Sequence, residues 1–332
     1  MEEVAIIADS KGKGFEFAKG VYEYLKNKGE GFSVRLIDIE RTKFKDGEVK
    51  IRIGSNIRNA KCFLIHDSNK DPYEWFTELV FKLEAMNFSS PEEINVILPY
   101  TKFARQDRKD ESRVSVNAKA LADVISLYAT RGMTVDLHNP QMQEYFSIPF
   151  DNLYSFISLV NYLKKNHPDI FQDLVVVSPD LGGGKRAEYL VKKLLNIGVK
   201  ADVAFGYKTR EKENEVARTV IIGEVKDKNC LIIDDIIDTG NTMIKTAEKL
   251  REIGAKKIFA YGTHGLFTGG TERFKIFDRV LVSDTLKAPE TGNLEIVSLV
   301  KLFGEAIYRT VIGKSLSVLF GDNEDISKDC EI

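Results

Sequence analysis

Residues 231–242, LIIDDIIDTGNT, end an apolar run in two adjacent carboxylates, then place a third carboxylate before a small polar loop. Asp234, Asp235 and Asp238 repel one another unless a positive or hydrogen-bonding group lies between them. The next segment, TMIKTAEKLREIG (242–254), spaces Met243, Ile244, Ala247 and Leu250 as one face of a helix. The loop therefore opens onto a helix N-terminus, where unpaired amides and the helix dipole favour an anion, most often a phosphate. Carboxylates accept paired hydrogen bonds from hydroxyl groups. A sugar bearing a phosphate accounts for the crowding: the phosphate takes the amides, and the sugar or a metal takes the acids. The plain alternative is a solvated strand-to-helix turn with an acidic cap.

A second glycine-rich stretch points elsewhere. GGGKRA (182–187) follows the strand-like LVVVSPD and loosely matches G-x-G-x-x-A, with Asp202 18 residues after Gly184. In a dinucleotide site the ribose-binding acid ends the second strand, whereas Asp202 stands before VAFGY. A Walker-type loop also fails, because Lys185 is followed by Arg186 instead of Ser or Thr.

Behind these loops, short apolar runs alternate with helical patterns. VAIIA, SVRLIDI, CFLIHD, NVILPY, TVDLH, LVVVSPD, ADVAFGY, TVIIGEV, CLIIDDI and KIFAYGTHG read as strands. WFTELVFKLEAM (75–86), AKALADVISLYAT (118–130) and the segment after Gly240 read as helices. Strand–helix–strand repetition predicts parallel sheets with helices on both faces, and ligands then bind at the carboxyl ends of the strands. Two α/β domains are expected, with a boundary near 150–160, where SIPFDNLYS interrupts the patterns.

Composition narrows the functional classes. The chain has 332 residues, 43% hydrophobic and 30% charged, which suits a soluble globular protein with a sizeable core. A net charge of −2 gives no general attraction to nucleic acid or membrane. No run approaches the length of a membrane span, and MEEVAIIADSKG lacks the basic start of a secretory signal. Cys62, Cys230 and Cys330 are scattered and odd in number, so a reducing cytoplasm is expected. The tail FGDNEDISKDCEI is acidic and non-periodic.

IIDDIIDTGNT resembles the phosphoribosyl pyrophosphate-binding loop of type I phosphoribosyltransferases and ribose-phosphate pyrophosphokinases. FKDGEVKIRI (44–53), PYTKFARQDRKDESR (99–113), VDLHNPQMQEYF (135–146), VVVSPDLGG (175–183), YKTR (207–210) and THGLFTGGTERF (263–274) resemble the second family, in order and at similar spacing. The resemblance extends over roughly residues 4–320 and includes a C-terminal helix and tail, LFGEAIYRTVIGKSLSVLF. It implies two phosphoribosyltransferase-like α/β domains, each a mainly parallel sheet flanked by helices. The first is expected over 1–155, joined by a helix at about 296–320, and the second over 156–295. It also implies transfer of the β,γ-pyrophosphoryl group of ATP to O1 of ribose 5-phosphate, with Mg2+, giving AMP and phosphoribosyl pyrophosphate for nucleotide biosynthesis.

Residue by residue, the resemblance assigns Phe44, Asp46, Gly47, Glu48, Arg105 and Gln106 to ATP. His138 and Asp180 match positions linked to magnesium, and Lys208 and Arg210 match a basic pair in a catalytic loop, Arg210 also reaching the sugar phosphate. Asp234, Asp238, Thr239, Gly240, Asn241 and Thr242 match the ribose 5-phosphate site. A homo-oligomer, a hexamer built from dimers with sites between subunits, is implied. Three departures stand out. Asn241 occupies a position that is usually Gly, the segment 67–79 lacks an Asn-Asp pair, and the catalytic loop lacks the usual Pro-Gly. Two other activities share parts of the pattern. A phosphoribosyltransferase needs DTGNT but neither DGE nor ARQDRK, and a non-catalytic regulatory relative would be expected to lose the basic loop or the phosphate loop.

Overall fold

A computed structural model describes residues 2–29, 31–209 and 218–320. The chain divides into two compact units. The first runs to Ser155 and regains Thr285–Lys287 and Leu299–Phe320; the second comprises Phe156–Asp284 and Ala288–Ser298.

In the first unit the strands are β1 (Glu2–Ala8), β2 (Phe32–Lys43), β3 (Val49–Ile53), β4 (Lys61–Ile65), β5 (Glu93–Leu98), β6 (Arg131–Val135) and β7 (Phe150–Leu153). They form one sheet in the order β3-β2-β1-β4-β5-β6-β7. All neighbours are parallel except β3, which folds back antiparallel on β2. Helices α1 (Phe15–Lys28), α2 (Pro72–Asn87) and α3 (Asn117–Tyr128) are the crossovers. The central strands are buried on both faces, which is why VAIIA and CFLI read as unbroken apolar runs. Each fully buried aliphatic side chain there contributes about 1.5–3 kcal/mol. Helix α2 begins where Asp71 accepts the Tyr73 N–H at 3.0 Å and Pro72 needs no N–H partner. The late helix α7 (Val300–Val311) packs on α1: Tyr24 donates to Glu305 at 2.7 Å, and a Cβ at Gly304 would lie 2.5 Å from the Tyr24 ring.

The second unit contains α4 (Phe156–Asn166), β8 (Leu174–Ser178), α5 (Gly184–Asn196), β9 (Ala201–Thr209), β10 (Arg218–Ile222), β11 (Asn229–Ile237), α6 (Asn241–Ile253), β12 (Lys257–Gly265), β13 (Arg279–Ser283) and β14 (Leu294–Val297). Its sheet order is β10-β9-β8-β11-β12-β13-β14, with only β10 antiparallel. Counted along the chain, this is the strand order of the first unit. One apolar cluster joins Val175, Ile232 and Ile258 to α6; another joins Val176, Leu231 and Phe259 to α4 and α5. Helices therefore cover both faces, as the alternating pattern predicts. Helix α6 ends at Gly254, left-handed at φ 97°, whose N–H returns to the Leu250 carbonyl.

The ten strand-like runs all lie on strands, and the three helical segments on α2, α3 and α6. Strands β3, β7, β13 and β14 add to them. FDNL in β7 is four residues with two polar members, too short for a clear period, and the interruption at SIPFDNLYS is this edge strand. Among the described residues no helix is long and apolar enough to cross a membrane.

Candidate active site

In the first unit, Phe44–Glu48 is the turn of the β2–β3 hairpin. Phe44 N–H donates to the Glu48 carbonyl at 2.8 Å, and Gly47 N–H donates back to Phe44 at 3.1 Å. Asp46 accepts the Glu48 N–H at 3.1 Å, and Gly47 has φ 97°, which an L side chain rarely adopts. The Phe44 ring is 49% exposed, so it is available to stack on a planar ligand.

Arg105 and Gln106 lie in the long segment between β5 and α3. Gln106 Nε2 donates to the Arg108 carbonyl at 3.1 Å, and the Gln106 carbonyl accepts the Ala118 N–H. His138 lies exposed beyond the tip of β6. These two loops are tied together through buried Asp107. Asn139 donates to its carboxylate at 2.7 Å, and Tyr145 donates to its carbonyl at 2.5 Å. The loop of Arg105 and Gln106 thus lies beside the loop of His138. The hairpin Phe44–Glu48 instead leaves β2, three strands from β5 in the sheet order, about 14 Å at the usual spacing.

A cavity of about 480 Å³ also opens at the carboxyl ends of this sheet, lined in part by Asp9, Arg41, Asp67 and Lys70. Of these, Lys70 meets Asp9 at 3.2 Å and Glu78 at 2.7 Å, and Arg41 meets Glu74 at 2.8 Å and Glu78 at 3.0 Å. Burial alone would raise Glu78, but Lys82 and Lys70 outweigh it and hold the carboxyl below its ordinary range. None of the residues assigned to ATP lines this cavity.

In the second unit three strand tips converge on the loop that opens α6. Beyond β8, the exposed Asp180 accepts the Gly183 N–H on Oδ1 at 3.0 Å, while Ser178 Oγ donates to its carbonyl at 2.6 Å. Beyond β11, Asp238–Thr239–Gly240 leads into the helix. Gly240 is left-handed at φ 68° and caps α6 with no side-chain hydrogen bond, so no side chain of the cap takes the helical amides. Thr239 and Asn241 are exposed and Thr242 is half-buried. The segment after β12 folds over this loop. Leu266 N–H donates to Ile237 at 2.8 Å, Thr268 donates to Asp238, Arg273 donates to Asn241, and Phe274 packs beside Gly240.

The acid pair has its own arrangement. Asp234 is half-buried and Asp235 is buried. Arg186, in the first turn of α5, reaches Asp234 at 3.1 Å and Asp235 at 3.0 Å. Burial, then the neighbouring Asp235 carboxylate, pushes Asp234 up to about 7 against the opposing pull of Arg186. Arg186, Thr268, Arg273 and Phe274 were missed as site residues in the sequence, since nothing local ties them to DTGNT. Only their place in THGLFTGGTERF and GGGKRA marked the last three and the first.

Arg210 lies outside the described residues, as does the side chain of Lys208, whose backbone is in β9. His138 belongs to the first unit and Asp180 to the second. Among the described residues no cluster of three or more His, Cys, Asp or Glu is placed to hold a metal by itself.

Residues 9–128 match the sequence profile of the N-terminal domain of ribose phosphate pyrophosphokinase, and residues 156–277 match that of the phosphoribosyl transferase domain. The ribose-phosphate pyrophosphokinase of Chlorobaculum tepidum is 39% identical over 319 residues, covering 94% of each chain. That of Aquifex aeolicus is 37% identical over 96% of this chain and 100% of its own. The crystal structure of phosphoribosylpyrophosphate synthetase from Mycobacterium smegmatis superposes with a TM-score of 0.82 at 28% identity, over 94% of this chain and 100% of that one. The chain belongs to the ribose-phosphate pyrophosphokinase family.

Proposed function

We propose that this protein is a ribose-phosphate diphosphokinase, transferring the pyrophosphoryl group of ATP to O1 of ribose 5-phosphate and releasing AMP and 5-phosphoribosyl 1-pyrophosphate for nucleotide biosynthesis. The observation that carries the reading is full-length family membership combined with an uncapped helix N-terminus beside an acid pair in the second unit. We assign the ATP-contacting loops, Phe44–Glu48 and Arg105–Gln106, to the first unit, and the sugar phosphate, on Asp234 and Asp238–Thr242, to the second.

The chemistry asked of the protein is positioning and charge neutralisation, since little covalent work falls to side chains in phosphoryl transfer. The α6 amides hold the 5-phosphate, and Asp234 accepts sugar hydroxyls, orienting O1. We assign to Lys208 and Arg210 the neutralisation of charge that develops on the transferred group. Asp180 is a hard oxygen donor, exposed and held by the Gly183 N–H, which fits Mg2+; His138 fits better through a water. Mg2+ neutralises phosphate oxygens when bound and takes few protein ligands.

The separation of Phe44–Glu48 from Arg105 along one sheet supports an oligomer with sites shared between subunits. We place the protein in the cytoplasm, a reading supported by the free, buried thiols of Cys62 and Cys230.

Purified protein with ATP, Mg2+ and ribose 5-phosphate is expected to yield AMP, read by nucleotide chromatography of the quenched reaction. Attack at the β-phosphorus releases AMP, whereas an ordinary kinase releases ADP. ADP as the primary product, or AMP independent of ribose 5-phosphate, overturns the reading.

A further inference from the structure

We propose that Arg186 is a positioning residue of the ribose site, whose guanidinium bridges Asp234 and Asp235 and holds them aligned to accept hydrogen bonds from the sugar hydroxyls. The proposal rests on the assignment of Asp234 to ribose. One guanidinium nitrogen, Nη1, lies 3.1 Å from Asp234 Oδ1 and 3.0 Å from Asp235 Oδ1, so a single cation bridges both acids. Asp234 Oδ1 also accepts the Asp235 N–H at 2.9 Å, which fixes the carboxyl plane against the strand. Arg186 sits in the first turn of α5, just after the loop that carries Asp180.

The need for a cation is physical. Two carboxylates on consecutive residues, one of them buried, repel each other, and a cation between them offsets that repulsion. A protonated Asp234 would offer a donor where the sugar hydroxyls also need acceptors. Among the described residues, the charges acting on Asp234 are Asp235 from its own strand and Arg186 from α5. From β12 its register partner is Gly262, which brings no charge. Asp234 is pushed up to about 7 with the guanidinium in place, so removing that charge moves its titration higher, by about one to three pH units for a lost close ion pair.

Affinity for ribose 5-phosphate should therefore rise with pH through neutrality, and Arg186→Gln should move this rise to higher pH. At pH 7 the ionised fraction of Asp234 falls from about a half to about a tenth or less, a loss of about fivefold or more in affinity, and binding recovers toward wild type only as the pH passes the new midpoint, about one to three units higher. Titration calorimetry with ribose 5-phosphate across pH, with ATP binding as a folding control, reads this. A purely structural role would weaken binding equally at every pH. Arg186→Lys keeps a charge on a shorter, more flexible side chain, so its profile should move part of the way, and it serves if the Gln variant does not fold. Asp234→Asn, measured alongside, should bind weakly with a flat profile. If Asp234→Asn binds normally, the ribose assignment itself fails. If Asp234→Asn binds weakly while the Arg186 variants keep the wild-type midpoint, the positioning role of Arg186 is overturned.

Discussion

Gly240→Ala should disable the phosphate loop, for two reasons that can be sized separately. Gly240 sits at φ 68°, and a non-glycine residue in the left-handed region costs about 1–2 kcal/mol. Its new Cβ would lie 2.3 Å from Phe274 Cζ and 2.7 Å from Cε1, well inside contact distance. The ring cannot easily yield. Phe274 is 2% exposed and packs against Phe267 and Phe277 with ring centroids 5.3 and 6.0 Å away. Overpacking of this kind costs about 1–3 kcal/mol, so the sum is about 2–5 kcal/mol. If the loop holds its shape, the loss appears in denaturant unfolding as a lower midpoint. If the loop deforms instead, the loss appears as affinity for ribose 5-phosphate, about 30-fold or more at the lower end of the sum. Urea unfolding and calorimetry on the same variant capture both. Phe274→Leu in the same chain should relieve the contact but not the backbone strain, so the two substitutions should be coupled by about 1–3 kcal/mol. A Gly240→Ala protein with unchanged midpoint and unchanged affinity would refute the reasoning, as would strict additivity with Phe274→Leu.

Lys208→Ala should lower turnover strongly and leave the Michaelis constants for ATP and ribose 5-phosphate nearly unchanged, because its charge is needed by the transition state more than by bound substrate; steady-state kinetics showing the reverse pattern would remove it from the catalytic role. Burial pushes the thiols of Cys62 and Cys230 up to about 12, so at pH 8 only about one in ten thousand is a thiolate. In a Cys330→Ser chain, native protein should resist a thiol reagent at pH 8 and release two equivalents on unfolding, and rapid native labelling would contradict the burial.

Much of the site was legible because its parts are local. The apolar run into DDIID, the small loop and the helical period after Gly240 are all set within two dozen residues, and α6 begins where that pattern places it. Asp202 shows the same economy: it lies near the start of β9, away from the strand tips, and pairs with Lys228 at 2.6 Å, as its place before VAFGY implied. Strand β7 was not legible, since four half-polar residues carry no period and its pairing with β6 alone makes it a strand. Nor was the buried pairing of Asp107 with Asn139, which joins two loops 32 residues apart.

By itself the sequence determined the parallel α/β plan and a loop fit for a phosphate, because hydrophobic period and acids before a helix are properties of neighbouring residues, while the class of chemistry came through the resemblance of its motifs to a family. Only the tertiary structure decided what surrounds the acids. Arg186 lies 48 residues before Asp234 and Arg273 lies 32 after Asn241, and no spacing rule brings them together. The order β10-β9-β8-β11-β12 does, by setting the tips of β8, β11 and β12 side by side. The same long-range packing puts Phe274 against Gly240, and with it the requirement for glycine acquires a second cause that the left-handed backbone alone does not supply. Side-chain charge and volume act through space, so their effect on a site is fixed only once the sheet has fixed the distances.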